Sequence, residues 1–163
     1  MKMLYIVRHA KSDWSHPEQT DFERTLNDRG LLNAPFMAEK FASRHGHVDR
    51  IVSSPANRAI TTAGYFAEAL KIGKKAIVQD KNIYEAGLNQ LINVVCGFND
   101  RDNNVMLFGH NPGLSILIAY LTGDGMSMPT CAIAEVELHV DSWKLINSET
   151  CSLKFFDYPK RYV

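Results

Sequence analysis

Two arginines and two histidines fall where strand-like runs of this chain give out. The apolar run Met3–Val7 ends in Arg8-His9. The run Asp49–Ser53 ends in Ser54, with Arg58 in the helical turn that follows, and Asn104–Phe108 ends in Gly109-His110-Asn111. Ligands of open α/β sheets bind beyond the carboxyl ends of the strands, so all three exits should deliver their polar residues to one edge. An arginine fork matches the oxygens of a phosphoryl group, and a neutral imidazole serves as nucleophile or donor. Ser54-Pro55 and Asn111-Pro112 each read as the N-cap and first turn of a helix, which aims free N–H groups at that edge. Taken singly, Arg8 reads as a surface ion-pair partner, and His9 or His110 as a hydrogen-bonded structural histidine. Three basic exits together describe a phosphate pocket.

Such a pocket needs a sheet covered on both faces. Met3–Val7 is a continuous apolar run, as a doubly covered strand requires. A polar loop, Lys11 to Thr25, precedes a helix capped by Asn27 and running to about Arg44, with Leu31, Ala34, Ala38 and Phe41 on its apolar face and Pro35 placed to kink or split it. The helix opened by Ser54-Pro55 is expected to end at Gly73, and Ala76–Gln79 to form a short third strand. Asn89–Phe98 reads as a helix with Cys96 on its core face, and Gly113–Leu121 as another, ended by Gly123. After that the pattern turns antiparallel: Ala132–Leu138 and Trp143–Asn147 suggest paired strands joined near Asp141, with a further strand at Ser152–Phe156. The architecture expected is α/β, a three-layer α/β/α sandwich on a mostly parallel central sheet, in one domain spanning residues 1–163.

Composition narrows the field. The chain of 163 residues is 45% apolar and 22% charged, an ordinary globular makeup. Its 18 basic and 18 acidic residues cancel, against a generic nucleic-acid or membrane-surface binder. No apolar run nears the roughly 20 residues of a membrane span. Three cysteines without a CxxC pair give neither a disulfide framework nor a zinc site, and point to a reduced, cytoplasmic protein. His45 and His47 flank Gly46 at an expected helix end without a third ligand nearby in sequence.

The segments Leu4-Tyr5-Ile6-Val7-Arg8-His9-Ala10, Ser53-Ser54-Pro55-Ala56-Asn57-Arg58-Ala59 and Gly109-His110-Asn111-Pro112-Gly113 resemble the motifs of the histidine phosphatase superfamily, whose fold is phosphoglycerate mutase-like. Leu26-Asn27-Asp28-Arg29-Gly30, Tyr84-Glu85-Ala86 and the short chain are similar to its SixA-like phosphohistidine phosphatases. The likeness runs from about Met3 to Leu138. It implies a phosphatase with His9 as nucleophile, forming a phosphohistidine that water hydrolyses, and with Arg8, Arg58 and His110 holding the phosphoryl oxygens. It implies no metal or other cofactor, because cationic side chains neutralise the phosphoryl charge. Lys11, Ser12 and Asn111 are further candidates for phosphate contact. Glu85 is the candidate general acid, with Asp13 as its rival, and a phosphohistidine substrate lessens the need for either. Alanine at position 10 departs from the glycine usual after the nucleophile, and resists a positive φ there.

The expected substrate is a phosphorylated protein, such as a histidine phosphotransfer domain, since only 26 residues separate Arg58 from Glu85 and leave no room for a large cap. The alternatives are a general small-molecule phosphomonoesterase and a non-catalytic phosphate-binding module on the same fold. No nucleic-acid or membrane partner is expected, and a monomer is the default.

Overall fold

The computed structural model describes residues 1–163. Its strands are β1 (Lys2–Arg8), β2 (Arg50–Ser53), β3 (Val78–Gln79), β4 (Asn104–Gly109), β5 (Ile133–Leu138) and β6 (Cys151–Asp157). Its helices are α1 (Asp28–Arg44), α2 (Asn57–Ala69), α3 (Leu88–Cys96) and α4 (Gly113–Thr122). They build one six-stranded sheet in the order β3-β2-β4-β1-β5-β6. The first four strands run parallel, and β5 is antiparallel to both β1 and β6.

Alternate residues of β1 explain its unbroken apolar run. Leu4 and Ile6 enter a core shared with α3 and α4, while Tyr5 and Val7 enter a second core under α1 and α2. The three layers expected from sequence are therefore present. No helix is long and apolar enough to cross a membrane.

Several local expectations needed correction. Trp143–Asn147 is not a strand: Trp143 is fully buried, its backbone N–H donates to Asp100 Oδ1 at 2.9 Å and its indole N–H to the Asp102 carbonyl at 2.8 Å. Those bonds fold residues 143–145 into a single 3₁₀ turn, and the partner of β5 is β6. Pro35 lies inside α1 without splitting it, and Leu31 is exposed while Met37 takes a core position. Helix α2 ends at Ala69, ahead of Lys71 at φ 60°, so Gly73 is not its stop. The third strand contracts to two residues, and Cys96 is only half-buried.

Candidate active site

Strand register brings the three basic exits together. Arg8 pairs with Gly109 across β1 and β4, and Ser53 with Phe108 across β2 and β4. The ladder runs one step further at each exit: the His9 N–H donates to the Gly109 carbonyl at 3.1 Å and the Ser54 N–H to the Phe108 carbonyl at 3.0 Å. His9 and His110 end up with ring centroids 5.2 Å apart. Arg8, His9, Arg58 and His110 line one cavity of about 390 Å³, and Lys11, Ser12, Glu85 and Asn111 line it with them. All eight residues expected at the site thus share one space. Asp13 does not line it; its carboxylate accepts from the Ser15 N–H at 2.8 Å and lies 3.6 Å from His16. A larger cavity of about 450 Å³ beside β3 has neither histidine nor arginine on its walls.

His9 is buried, with Nδ1 2.7 Å from the Ala10 carbonyl. That carbonyl can only accept, so Nδ1 carries the proton and Nε2 keeps the lone pair. Burial pulls the His9 pKa down to about 3, opposed by the Ala10 hydrogen bond and reinforced by His110, Arg58 and Arg8. At neutral pH the ring is therefore an uncharged base with one free nitrogen, as a nucleophile must be. Ala10 itself is buried at an ordinary negative φ, and its N–H donates to Thr62 Oγ1 at 3.0 Å. The backbone here does not need the conformation that glycine would supply.

The same cavity holds donors without acceptors. Arg8 donates from Nη1 to the Met128 carbonyl at 2.8 Å, while the Nε atoms of Arg8, Arg24 and Arg58 and Nδ1 of His110 are buried with no partner. His110 Nε2 lies 2.7 Å from Ser54 Oγ, which also accepts from the Ala56 N–H at 3.2 Å. A Ser54 hydroxyl donating to Nε2 leaves the His110 proton on Nδ1, an orphan donor. Burial, with Arg58, Arg8 and Arg24 beside it and against the pull of Asp21, lowers the His110 pKa to about 4. Orphan guanidinium and imidazole donors round one cavity suit a phosphoryl group.

Ser54 thus holds His110 from behind the cavity wall and does not cap α2, which begins at Asn57 without a side-chain cap. Asn111 does act in capping: its Oδ1 accepts from the backbone N–H of Ser115 at 3.3 Å and from its hydroxyl at 2.8 Å. Its Nδ2 donates to the Met128 carbonyl at 3.0 Å, tying the loop before β5 to the cavity.

The polar loop after β1 supplies residues that sequence reasoning missed. Asp21 receives hydrogen bonds from Tyr84 Oη at 2.6 Å, Arg24 Nη2 at 2.7 Å and Arg58 Nη2 at 3.0 Å. Burial would raise the pKa of its carboxyl, but these donors together hold it well below the usual carboxylate range. Arg24 is buried, donates to Ser12 Oγ, and lies 3.5 Å from the ring centroid of the exposed Trp14. The one sequence hint was that Asp21 and Arg24 stand three apart in a loop otherwise too long to fold by inspection. Glu85 is held at φ 55°, a left-handed conformation that costs a non-glycine residue about 1 kcal/mol. His45 and His47, set aside as metal ligands, pair instead with Glu135 at 2.9 Å and Asp49 at 2.7 Å.

Fold and site together define an α/β phosphate-handling protein with a neutral histidine at the foot of its pocket. The chain belongs to the histidine phosphatase superfamily (branch 1), whose sequence profile matches residues 4–94; it is a phosphatase, and its fold is SixA-like. Its structure is similar to that of a protein from Agrobacterium tumefaciens named as a SixA phosphohistidine phosphatase, with 27% identity, a TM-score of 0.80 and coverage of 97% of this chain and 98% of that one. The protein histidine phosphatase SixA complexed with tungstate shares the fold at 19% identity, a TM-score of 0.83 and 99% of both chains. A mycobacterial glucosyl-3-phosphoglycerate phosphatase does so at 16% identity and a TM-score of 0.71, over 98% of this chain and all of that one. An uncharacterised chloroplastic protein of Arabidopsis thaliana is 24% identical over 151 residues, 88% of this chain and 69% of that protein.

Proposed function

We propose that the chain hydrolyses phosphohistidine on a protein, through a covalent intermediate on His9. The observation that carries this reading is the state of His9: uncharged, its Nδ1 proton committed to the Ala10 carbonyl, lining a cavity edged by unpartnered arginine and histidine donors. Its Nε2 attacks phosphorus in line, forming a P–N bond as the substrate's P–N bond breaks. When the other nitrogen of the substrate ring is protonated, the departing imidazole leaves neutral and needs no acid. Water then attacks phosphorus, loses a proton to the medium and releases phosphate. His9 Nε2 recovers its electron pair while the Nδ1 proton stays in place. Arg8, Arg58 and His110 carry the charge spread over the phosphoryl oxygens in a loose transition state. Lys11, Ser12 and Asn111 border the same space as further phosphate contacts, and Glu85 stands where a leaving-group acid would serve an ester.

The experiment compares the wild type with His9→Ala, both in EDTA, on a phosphorylated histidine phosphotransfer domain and on p-nitrophenyl phosphate. The expected result is hydrolysis of both by the wild type, faster on the protein, and of neither by the variant. Equal rates for the two proteins would remove His9 as nucleophile. Binding of phosphate without labelling of His9 would make the chain a phosphate-binding module, and a preference for p-nitrophenyl phosphate a general phosphomonoesterase.

A further inference from the structure

We propose that a basic groove beside the catalytic cavity anchors acidic side chains of the phosphorylated protein; this rests on the protein-phosphohistidine reading above. The groove, of about 310 Å³, lies where the first turn of α1, the loop before β5 and the turn after β6 meet. Lys11 and Thr130 border both it and the cavity of His9, so the two spaces are neighbours. Lys11, Arg29 and Lys160 line it, no acidic side chain does, and Val163 at the end of the sequence lines it with them.

None of these three cations has an ion-pair partner, a state they share with most lysines and arginines of the chain, but they are gathered on one groove. Arg29 adds a second argument. It stands in the first turn of α1, where the helix dipole favours an anion, so its charge works against the helix it belongs to. A positive charge at that point finds its use outside the helix.

Tyr158 and Pro159 line the groove as well and suit the methylenes of a Glu or Asp side chain. Inorganic phosphate or a small ester is held by the cavity donors alone and leaves the groove empty. A protein that inserts its phosphohistidine can reach both spaces at once. The occupant that matches is therefore a short acidic segment flanking the phosphorylated histidine, drawn in by charge and held at the rim.

The test uses Arg29→Glu, Lys160→Glu and the double variant. One substrate is a histidine phosphotransfer domain phosphorylated with phosphoramidate and carrying Asp or Glu on the turns beside its histidine; the other is p-nitrophenyl phosphate. The double variant is expected to lose about tenfold in kcat/KM on the protein at low salt, as rim charges acting on association do. That gap should close above about 0.5 M salt. Turnover of p-nitrophenyl phosphate should stay within about twofold, as for surface charges away from the chemistry. Arg29→Glu should not lower the melting temperature, which separates lost docking from lost folding. Reversing the acidic residues of the substrate to Lys should restore turnover by the double variant. An unchanged kcat/KM on the phosphorylated domain overturns the groove, and an equal loss on both substrates shows that it acts on phosphoryl binding instead. A wild type that hydrolyses p-nitrophenyl phosphate but not the phosphorylated domain overturns the protein-substrate reading itself.

Discussion

Asp21 grips Arg58 twice: its carbonyl oxygen accepts from Nη1 at 2.6 Å and its carboxylate from Nη2 at 3.0 Å. A phosphoryl group on the remaining donors of Arg58 must share the cavity with that negative charge. Asp21→Asn keeps the shape and removes the charge. Inhibition by tungstate is expected to tighten by about fivefold, the scale of one partly exposed ion pair. Titrating p-nitrophenyl phosphate hydrolysis with tungstate at constant pH measures it. A weaker inhibition constant would mean that orienting Arg58 outweighs the repulsion.

The meeting of these residues at one cavity was legible because strands announce themselves. Arg8-His9 and Gly109-His110 follow continuous apolar runs, and parallel register puts the residues after such runs side by side without further information. What lay outside that logic was less visible. Asp21, Arg24 and Trp14 sit in a loop whose path is set by ion pairs and stacking, for which no periodicity exists. Ser54 looked like a cap because Ser-Pro opens helices, yet its hydroxyl is used across the sheet by His110. Trp143 looked like a strand residue because its neighbours alternate, while Asp100 and Asp102, distant in sequence, hold it in a turn.

His9 and His110 make stability depend on acid. Folded, they have pKa values of about 3 and about 4. In the unfolded chain imidazole titrates near about 6.5, so as pH falls below that value the unfolded state gains protons that the folded state refuses. Each histidine then costs up to about 2 kcal/mol of stability at about pH 5. The Asp21 carboxyl is ionised in both states down to about pH 4.5, so its contribution is constant across this window and fades only below it. Urea midpoints at neutral and acidic pH should show the wild type losing more than His110→Asn. Equal losses would show that His110 is not held neutral.

Ser54→Ala leaves His110 Nε2 without its partner and lets the imidazole proton move off Nδ1. A fall of about tenfold in kcat/KM is expected, as for a misplaced general donor. The melting temperature should fall as well, by a few degrees, because the buried Ser54 hydroxyl also accepts from the Ala56 N–H. Steady-state kinetics on p-nitrophenyl phosphate with thermal denaturation of the same samples separates the two. An unaltered kcat/KM would assign the His110 tautomer to other contacts.

Glu85 borders the cavity from a left-handed backbone position, and as the proposed leaving-group acid its carboxylate would matter only when the leaving group needs a proton. Glu85→Gln should slow hydrolysis of an alkyl phosphate such as glycerol phosphate by about a hundredfold, the usual reach of general acid catalysis. On phosphohistidine, whose imidazole departs neutral, the same variant should keep its rate within about twofold. A matching loss on both substrates would place Glu85 in phosphoryl binding.

The first turn of α1 bears directly on the loop after His9, and Gly30 is what allows it. A Cβ at this buried position would collide with the carbonyl oxygen of Lys11 and crowd Leu26, and the oxygen is backbone that cannot rotate away. The Asn27 N–H donates to that same carbonyl at 3.0 Å, and Asn27 Oδ1 accepts from the Gly30 N–H at 2.9 Å, so the turn has no slack to yield. Gly30→Ala is therefore expected to push Lys11 and Ser12 outward and to cost about 2 kcal/mol of stability, as overpacking does. Because Lys11 borders the cavity and follows His9 by two residues, kcat on p-nitrophenyl phosphate should fall with it. A variant as stable and as active as the wild type, by urea denaturation and steady-state rates, would show that the loop after the nucleophile can move independently of α1.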